Sequence, residues 1–343
     1  MDIQITTGMP EGGISKWQEF VATHPGSNVF QSPEMYTLFE AAENFTPVLI
    51  IAGAEKEIAG VLLAVIIREF SGPFGFLSSR TVVYGGPLLH PDFPDPDRLL
   101  GSMLDELIKR VKNRSVFIQF RNFTDQSKVR NVFADYGFKY LERLNYLVDT
   151  TSETDARKRI STSKLRQVKK GLDSGARIEA PANETEMKAF YAILYDLYKR
   201  KVKKPLPSYS FFYNFYLQSC EGKLGVVKLV KYGDKVIGGI LSPVFEDQVI
   251  YEWYVCGLDQ EYKNQYPSVL ATWAAIEYAF RNIIKTFDFM GVGIPGKDYG
   301  VREFKSKFGG ELVNFGRFGR INNPFLYAIT EIGFNLLALM KKI

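Results

Sequence analysis

Histidine is nearly absent. His24 and His90 are the only two in 343 residues, and both sit in proline-containing stretches, HPGSN and LLHPDF. A histidine metal pair or a Ser-His-Asp triad is therefore not expected, and both read as loop residues. Cysteine is as scarce. Cys220 and Cys256 cannot build a disulfide framework or a thiolate cage, and no metal is implied. Cys256, in the apolar run Trp253 to Leu258, reads as a small buried hydrophobe. Long apolar runs are missing too. The longest clean one, Ile58 to Ile67, falls short of the ~20 residues that cross a bilayer. The first ten residues lack the basic start and apolar centre of a secretory signal. A cytoplasmic protein whose chemistry runs largely without histidine is the expectation.

What is present is ordinary globular composition, with 46% hydrophobic, 14% aromatic and 24% charged residues, in a chain long enough for about two domains. The net charge of +5 is unevenly placed. Residues 1–147 hold 14 Lys+Arg against 17 Asp+Glu; residues 148–343 hold 29 against 21. The second half is the one suited to an anionic partner.

Pattern and turn chemistry divide the chain into two similar halves. In the first, VFQSPEMYTLFE reads as a short helix entered through Ser32-Pro33, and PVLIIAGAEKEIAGVLLAVIIRE as a hairpin. RTVVYGGPLL is a strand. Leu100, Met103, Leu104, Leu107 and Val111 then follow helical spacing. SVFIQFRN reads as a buried strand, VRNVFADYGF as a helix closed by Gly137, and KYLERLNYLVD as one alternating strand. The second half repeats the order. LGVVKLVKYGDKVIGGILSPV is a hairpin, QVIYEWYVCGL a strand, YPSVLATWAAIEYAFRN a helix and KTFDFMGVG a buried strand. YGVREFKSKFGG is a helix with a glycine stop, and ELVNFGRFGRI a final strand.

Two helices link the halves. ARKRISTSKLRQVKKGL sets Leu165, Val168 and Leu172 on one face and Arg159, Arg166 and Lys170 nearly opposite. That basic stripe could follow an RNA or a phosphorylated head group as donor or anion site, or be a solvated face. EMKAFYAILYDLYKRKVKK carries Met187, Phe190, Leu194 and Leu197 as its core stripe and ends in a run of cations, which suit a helix C-terminus. The last segment, PFLYAITEIGFNLLALMKKI, has an apolar helical face and a Lys-Lys end. It could cap the core or rest on a membrane.

The strand QVIYEWYVCGL places Tyr251, Trp253 and Val255 on one side and Glu252 and Tyr254 on the other. Trp253 is expected in the core and Tyr254 on the opposite side of the strand. A buried Glu252 needs a reason: a general base or a salt bridge.

The repeated order of hairpin, strand, helix, strand, helix, strand is the plan of GNAT acyltransferases. With the duplication, VFQSPEMY, STSKLRQVKKGLDSGARIE, YPSVLATWAAIEYA and FDFMGVG…YGVREFKSKFGGE resemble the Fem family (FemABX) of non-ribosomal peptidyltransferases. The resemblance covers nearly the whole chain. It implies an α/β (α+β) fold of two tandem GNAT-like domains, 1–147 and 148–343, each a mixed twisted sheet flanked by helices around a shared cleft. It implies a site in which Phe304 and Lys305 line the reacting groups, with Lys305 stabilising charge and Arg302 on the same helix as a substrate contact. Tyr198 and Arg200 take the place of the family's acceptor-binding Tyr and Arg, and Tyr254 that of its fourth-strand Tyr, though a basic run follows Tyr198 where relatives more often have a glycine-containing loop. Asp288 matches the family's strand aspartate. The long helical arm of some members is absent.

The implied activity is transfer of an aminoacyl or acyl group to an amine of a peptidoglycan or surface-polysaccharide precursor, nucleotide- or lipid-linked. The donor would be aminoacyl-tRNA, alternatively acyl-CoA, with no permanently bound cofactor. Peripheral contact with the inner face of the membrane would follow from a lipid-linked acceptor. The loop DQEYKNQYPSVLATW has no glycine between Asp259 and Trp273, and Pro267 removes an N–H, so it does not resemble a coenzyme A pyrophosphate loop. A CoA-dependent N-acyltransferase and a silent relative that binds glycan precursors are the competing readings.

Overall fold

Local chemistry accounts for most elements. The computed structural model describes residues 3–8, 13–54, 57–68, 75 and 78–328. After β1 (Gln4–Thr7) and α1 (Gly13–Thr23), the VFQSPEMY segment forms α2 (Pro33–Ala41). Ser32 caps α2 by accepting from the Met35 N–H at 3.3 Å, and Pro33 fills its first turn. β2 (Phe45–Ala54) and β3 (Glu57–Ile67) form the expected hairpin. β4 (Arg80–Tyr84) and β5 (Leu88–Leu89) come from the single strand expected at RTVVYGGPLL. α3 (Pro96–Val111), capped by Asp95, buries all five residues of its predicted stripe. β6 (Phe117–Arg121), α4 (Arg130–Asp135) and β7 (Lys139–Leu141) follow.

The second half opens with β8 (Asn145–Asp149), α5 (Glu153–Arg159) and α6 (Thr162–Asp173). The expected single basic helix is thus two, separated at Ile160-Ser161, where Ser161 caps α6. The apolar face of α6 also differs from expectation. Lys164, Val168 and Gly171 are buried, whereas Leu172 is exposed. β9 (Ala176–Glu179), α7 (Glu184–Leu197) and α8 (Tyr209–Cys220) follow; α8 was not among the helices read from the sequence. The hairpin β10 (Gly225–Tyr232) and β11 (Lys235–Phe245) turns at Gly233, whose φ is +56°. Then come β12 (Val249–Tyr251), β13 (Tyr254–Gly257), α9 (Pro267–Arg281), β14 (Thr286–Asp288), α10 (Gly300–Ser306), β15 (Glu311–Val313) and β16 (Arg317–Ile321).

Among the described residues each unit has one eight-stranded mixed sheet. The first runs β1-β2-β3-β4-β6-β16-β7 with β5 on β3, and the second runs β15-β8-β14-β12-β11-β10-β9 with β13 on β11. β4 pairs parallel with β6, and β12 with β14. Each core lies where helix meets sheet: α3 buries Leu100, Met103 and Leu107 in the first, and α9 buries Val269, Trp273 and Ile276 in the second.

These strand orders move the domain boundary from the expected 147/148. The compact units are Met1–Glu142 with Phe315–Ile343, and Arg143–Asn314. KYLERLNYLVD is not one strand: β7 belongs to the first sheet and β8 to the second. ELVNFGRFGRI is likewise cut, with β15 in the second sheet and β16 in the first. Alternation determines which face a side chain takes, not which strand accepts the N–H. Burial decides it for β16, where Phe318 stacks on Phe133 at 3.9 Å inside the first core. Gly316, with φ +67°, makes the bend; a Cβ there would meet the Tyr140 ring at 2.3 Å. The amphipathic helix expected from Pro324 to Ile343 lies, beyond residue 328, outside the described residues.

Candidate functional site

The strand expected at QVIYEWYVCGL is broken in the middle, and Glu252 stands at the break. β12 stays on β14, while β13 pairs only with β11, from Leu241↔Tyr254 to Gly238↔Gly257. Between them the Glu252 N–H donates to the Asp288 carbonyl at 2.8 Å, leaving the ladder of β11. On β11 the residue beside this gap is Ser242, fully buried, and its Oγ has no hydrogen-bond partner among the described residues.

Glu252 and Lys305, 53 positions apart in the chain, form a buried ion pair with Nζ to Oε1 at 2.9 Å; their side chains are 1% and 11% exposed. Thr272 of α9 donates to the other Glu252 oxygen at 2.9 Å. The Lys305 ammonium also donates to the Phe289 carbonyl at 2.7 Å and the Gly291 carbonyl at 3.4 Å. Its three protons are therefore all engaged. Lys305 is a fixed cation that also ties the turn after β14 to α10. Both Glu252 oxygens are taken by donors, so the salt-bridge reading accounts for its burial, and the geometry does not favour it as a free base.

Asp288 organises the same turn. Its Oδ1 accepts from Met290 N at 2.5 Å and from Asn145 Nδ2 at 2.7 Å, while Asn145 Oδ1 accepts from Gly291 N at 2.7 Å. Met290 (φ +56°) and Gly291 (φ +126°) both lie in the left-handed half of backbone space, and this clamp holds them there. Burial pushes the Asp288 carboxyl up to about 6, against the lowering effects of the Asn145 and Met290 hydrogen bonds and the Lys305 charge. The Asp288 Oδ2 carries no hydrogen bond among the described residues. Tyr251, fully buried next to it, is raised well above the ordinary phenol value by burial and by Asp288.

α10 supplies the remaining contacts. Gly309, at φ +79°, closes it as expected; a Cβ there would lie 2.5 Å from the Arg159 carbonyl. Arg302 donates to the Val292 carbonyl at 3.0 Å and to the Ile294 carbonyl, so it braces the loop before α10. The Phe304 ring lies 4.0 Å from the Lys164 ammonium, which also bonds Gln167 at 3.1 Å. Burial, and then the Lys307 charge, lower Lys164 to about 8. Lys307 itself forms an exposed pair with Glu303.

Of the sequence-derived candidates, Glu252, Asp288 and Lys305 are brought together, and Tyr198 and Tyr254 meet with ring centroids 6.2 Å apart. Trp253 is half-buried rather than core, packed edge-on to Phe211 at 5.3 Å. Arg200 is exposed and paired with Asp196. The basic stripe is not one helix face. Arg159, on α5, pairs with Asp149, while Arg166 and Lys170 lie exposed on α6. Asn145, Thr272 and Lys164 were missed. A lone threonine on the otherwise apolar face of α9, and a lysine four positions before Val168, were signals that could have found two of them. Among the described residues no group of His, Cys, Asp and Glu could hold a metal, and no helix is long and apolar enough to cross a membrane.

Residues 156–306, which contain every member of this cluster except Asn145, match the family described as Acetyltransferase (GNAT) domain. The matched stretch lies within the second unit, which is thus similar to a GNAT acetyltransferase domain. Over the whole chain, the crystal structure of FemX is similar at TM-score 0.70 and 14% identity, covering 96% of this chain and 99% of that one. A tandem GNAT protein from the clavulanic acid biosynthesis pathway gives 0.58 and 10%, covering 94% and 99%. L-PGS from Bacillus licheniformis gives 0.57 and 12%, covering 96% and 98%. At these identities the likeness is one of fold, and the fold is tandem GNAT. The comparison with curated proteins found no match.

Proposed function

We propose that this chain is a Fem-like aminoacyl or acyl transferase acting on an amine of a nucleotide- or lipid-linked peptidoglycan or surface-polysaccharide precursor. The observation that carries this reading is the buried Glu252–Lys305–Asp288 cluster at the strand break of a GNAT domain. Acyl transfer needs a proton acceptor for the attacking amine and positive charge near the developing oxyanion. Asp288, with one oxygen that no donor occupies and an elevated proton affinity, suits the first role better than Glu252. Lys305 serves the second as a fixed charge, because its protons are already committed. The amine nitrogen bonds to the donor carbonyl carbon and passes its proton to Asp288. The carbonyl–oxygen ester bond then breaks, and the leaving alkoxide takes up the proton held by Asp288, which restores the carboxylate.

The donor reading favours an aminoacyl ester over coenzyme A. A GNAT pyrophosphate would use the amides at the N-terminus of α9. Here Asp259 holds that end, accepting from Ser268 N at 3.0 Å and from Ser268 Oγ at 2.5 Å. A carboxylate in that place repels a pyrophosphate. The test is product formation by wild type and Lys305→Met with aminoacyl-tRNA or acyl-CoA as donor and a muropeptide amine as acceptor. An amide formed from aminoacyl-tRNA and lost in the variant is the expected result. Product from acyl-CoA alone would replace this reading with a CoA-dependent N-acyltransferase. Precursor binding without turnover would mark a silent relative.

A further inference from the structure

The basic run after α7 is too large to be explained as helix capping. α7 passes into a π-helical turn, Tyr198–Val202, which Lys203 ends at φ +52°. Such turns recur at functional sites. Residues 199–205 are all exposed, and Lys199, Arg200, Lys201, Lys203 and Lys204 put five cations into six positions. Asp196 offsets one, through its exposed 2.6 Å pair with Arg200. A helix C-terminus offers about half a negative charge, which is too little to offset this run. Lys199, Lys201 and Lys203 form no ion pair among the described residues.

The neighbouring aromatics narrow the choice of polyanion. Tyr195, Tyr191, Tyr209, Tyr213 and Tyr216 form a continuous series of ring contacts, with centroids 6.2, 5.5, 5.7 and 6.1 Å apart. Of these rings only Tyr195 is exposed; the others are half-buried and pack on each other. A single-stranded nucleic acid needs open ring faces for its bases. Val202, an exposed apolar side chain set between Lys201 and Lys203, and the amphipathic Tyr195 suit a lipid interface instead.

We propose that the turn at 199–204 docks this protein on an anionic lipid bilayer. The head-group phosphates pair with Lys199, Lys201 and Lys203, and Val202 and Tyr195 rest at the interface. This goes beyond the transferase reading and stands whatever the substrate is.

Cosedimentation of the full chain with phosphatidylcholine vesicles, with and without phosphatidylglycerol, tests it without any activity assay. Wild type should bind only the anionic vesicles and release at high salt. The triple variant Lys199→Gln, Lys201→Gln, Lys203→Asn should bind about a hundredfold more weakly, from the known contribution of each cation near an anionic surface. Asparagine is chosen for its tolerance of the left-handed conformation, and an unchanged circular dichroism melt would show that the variant is folded. Val202→Trp should shift its emission to the blue on the same vesicles. No binding by wild type, or equal binding by the triple variant, overturns the proposal. Binding of an RNA hairpin that needs these lysines, with no vesicle binding, would overturn it in favour of nucleic acid.

Discussion

The two units break the same sheet position and fill the break in opposite ways. In the first, β3 leaves β4 after Ala64 and meets β5 at Val61, and the gap is closed from within. The Gln31 amide, fully buried, donates to the Leu63 and Tyr84 carbonyls at 3.1 and 2.8 Å and accepts from Leu63 N at 2.7 Å. Gly86 leaves room for it; a Cβ there would lie 2.6 Å from the Gln31 side chain. In the second unit the corresponding break holds Glu252, Lys305 and Asp288, with the Ser242 hydroxyl unbonded beside it. One gap is neutral, self-satisfied and closed. The other carries a charged pair and a carboxyl poised near neutrality. A duplicated fold has kept the geometry twice and the titratable groups once.

The most severe way to break this contrast is to take one charge from the second unit. Lys305→Met leaves the Glu252 carboxylate buried without its partner, and about 3–5 kcal/mol of stability should be lost. Urea unfolding measures it, and transferase product should vanish with it. Pairing the change with Glu252→Gln should restore most of the stability but not the activity. Full activity in either form would remove the cluster from the chemistry.

Next in size is Gln31→Ala in the first unit. It strands the Leu63 and Tyr84 backbone groups, and about 1–3 kcal/mol should be lost in the same measurement. Turnover per folded molecule should not change. A fall in turnover would mean that the first gap also takes part.

The pH response sharpens the comparison further. The folded Asp288 carboxyl holds its proton more tightly than the unfolded one, at about 6 against 3.8. Its contribution to stability is therefore full below the unfolded value and is lost as pH rises through about 6. Asp288→Asn should flatten that fall. In wild type, turnover should rise through the same pH range as the carboxylate forms, and the asparagine variant should lose this limb.

The smallest effect is expected at Lys164. Replacing this buried ammonium over Phe304 with methionine keeps the stem packing and removes the desolvated charge. A melting temperature at neutral pH raised by a few degrees should result. No rise would mean that the contact with the Phe304 ring already offsets the burial.

Part of the candidate site was legible in advance. Lys305, Glu252 and Asp288 were each singled out, and a salt bridge was one of the two reasons offered for Glu252. That its partner is Lys305 was not readable, because no periodicity links positions 53 apart. Arg302 had been expected at the substrate, but its guanidinium is used on the Val292 and Ile294 carbonyls, contacts that exist only once the loop folds back. Lys164 ran against the assumption that lysines mark solvent faces, since an aromatic ring can take the place of water around an ammonium.

By itself the sequence determined most of the elements and their types, the two long hairpins, the glycine stops and the repeated order, though not α8 or the division of the basic helix into α5 and α6. All of these depend on neighbours within a few positions along the chain, where periodicity and turn preference act. The tertiary structure alone decided that β8 and β16 change sheets, that QVIYEWYVCGL parts at Glu252, and that a lysine on α10 neutralises that glutamate. Strand partners and buried ion pairs are chosen by competition among groups far apart in sequence. That choice is made only when burial removes water as the alternative partner.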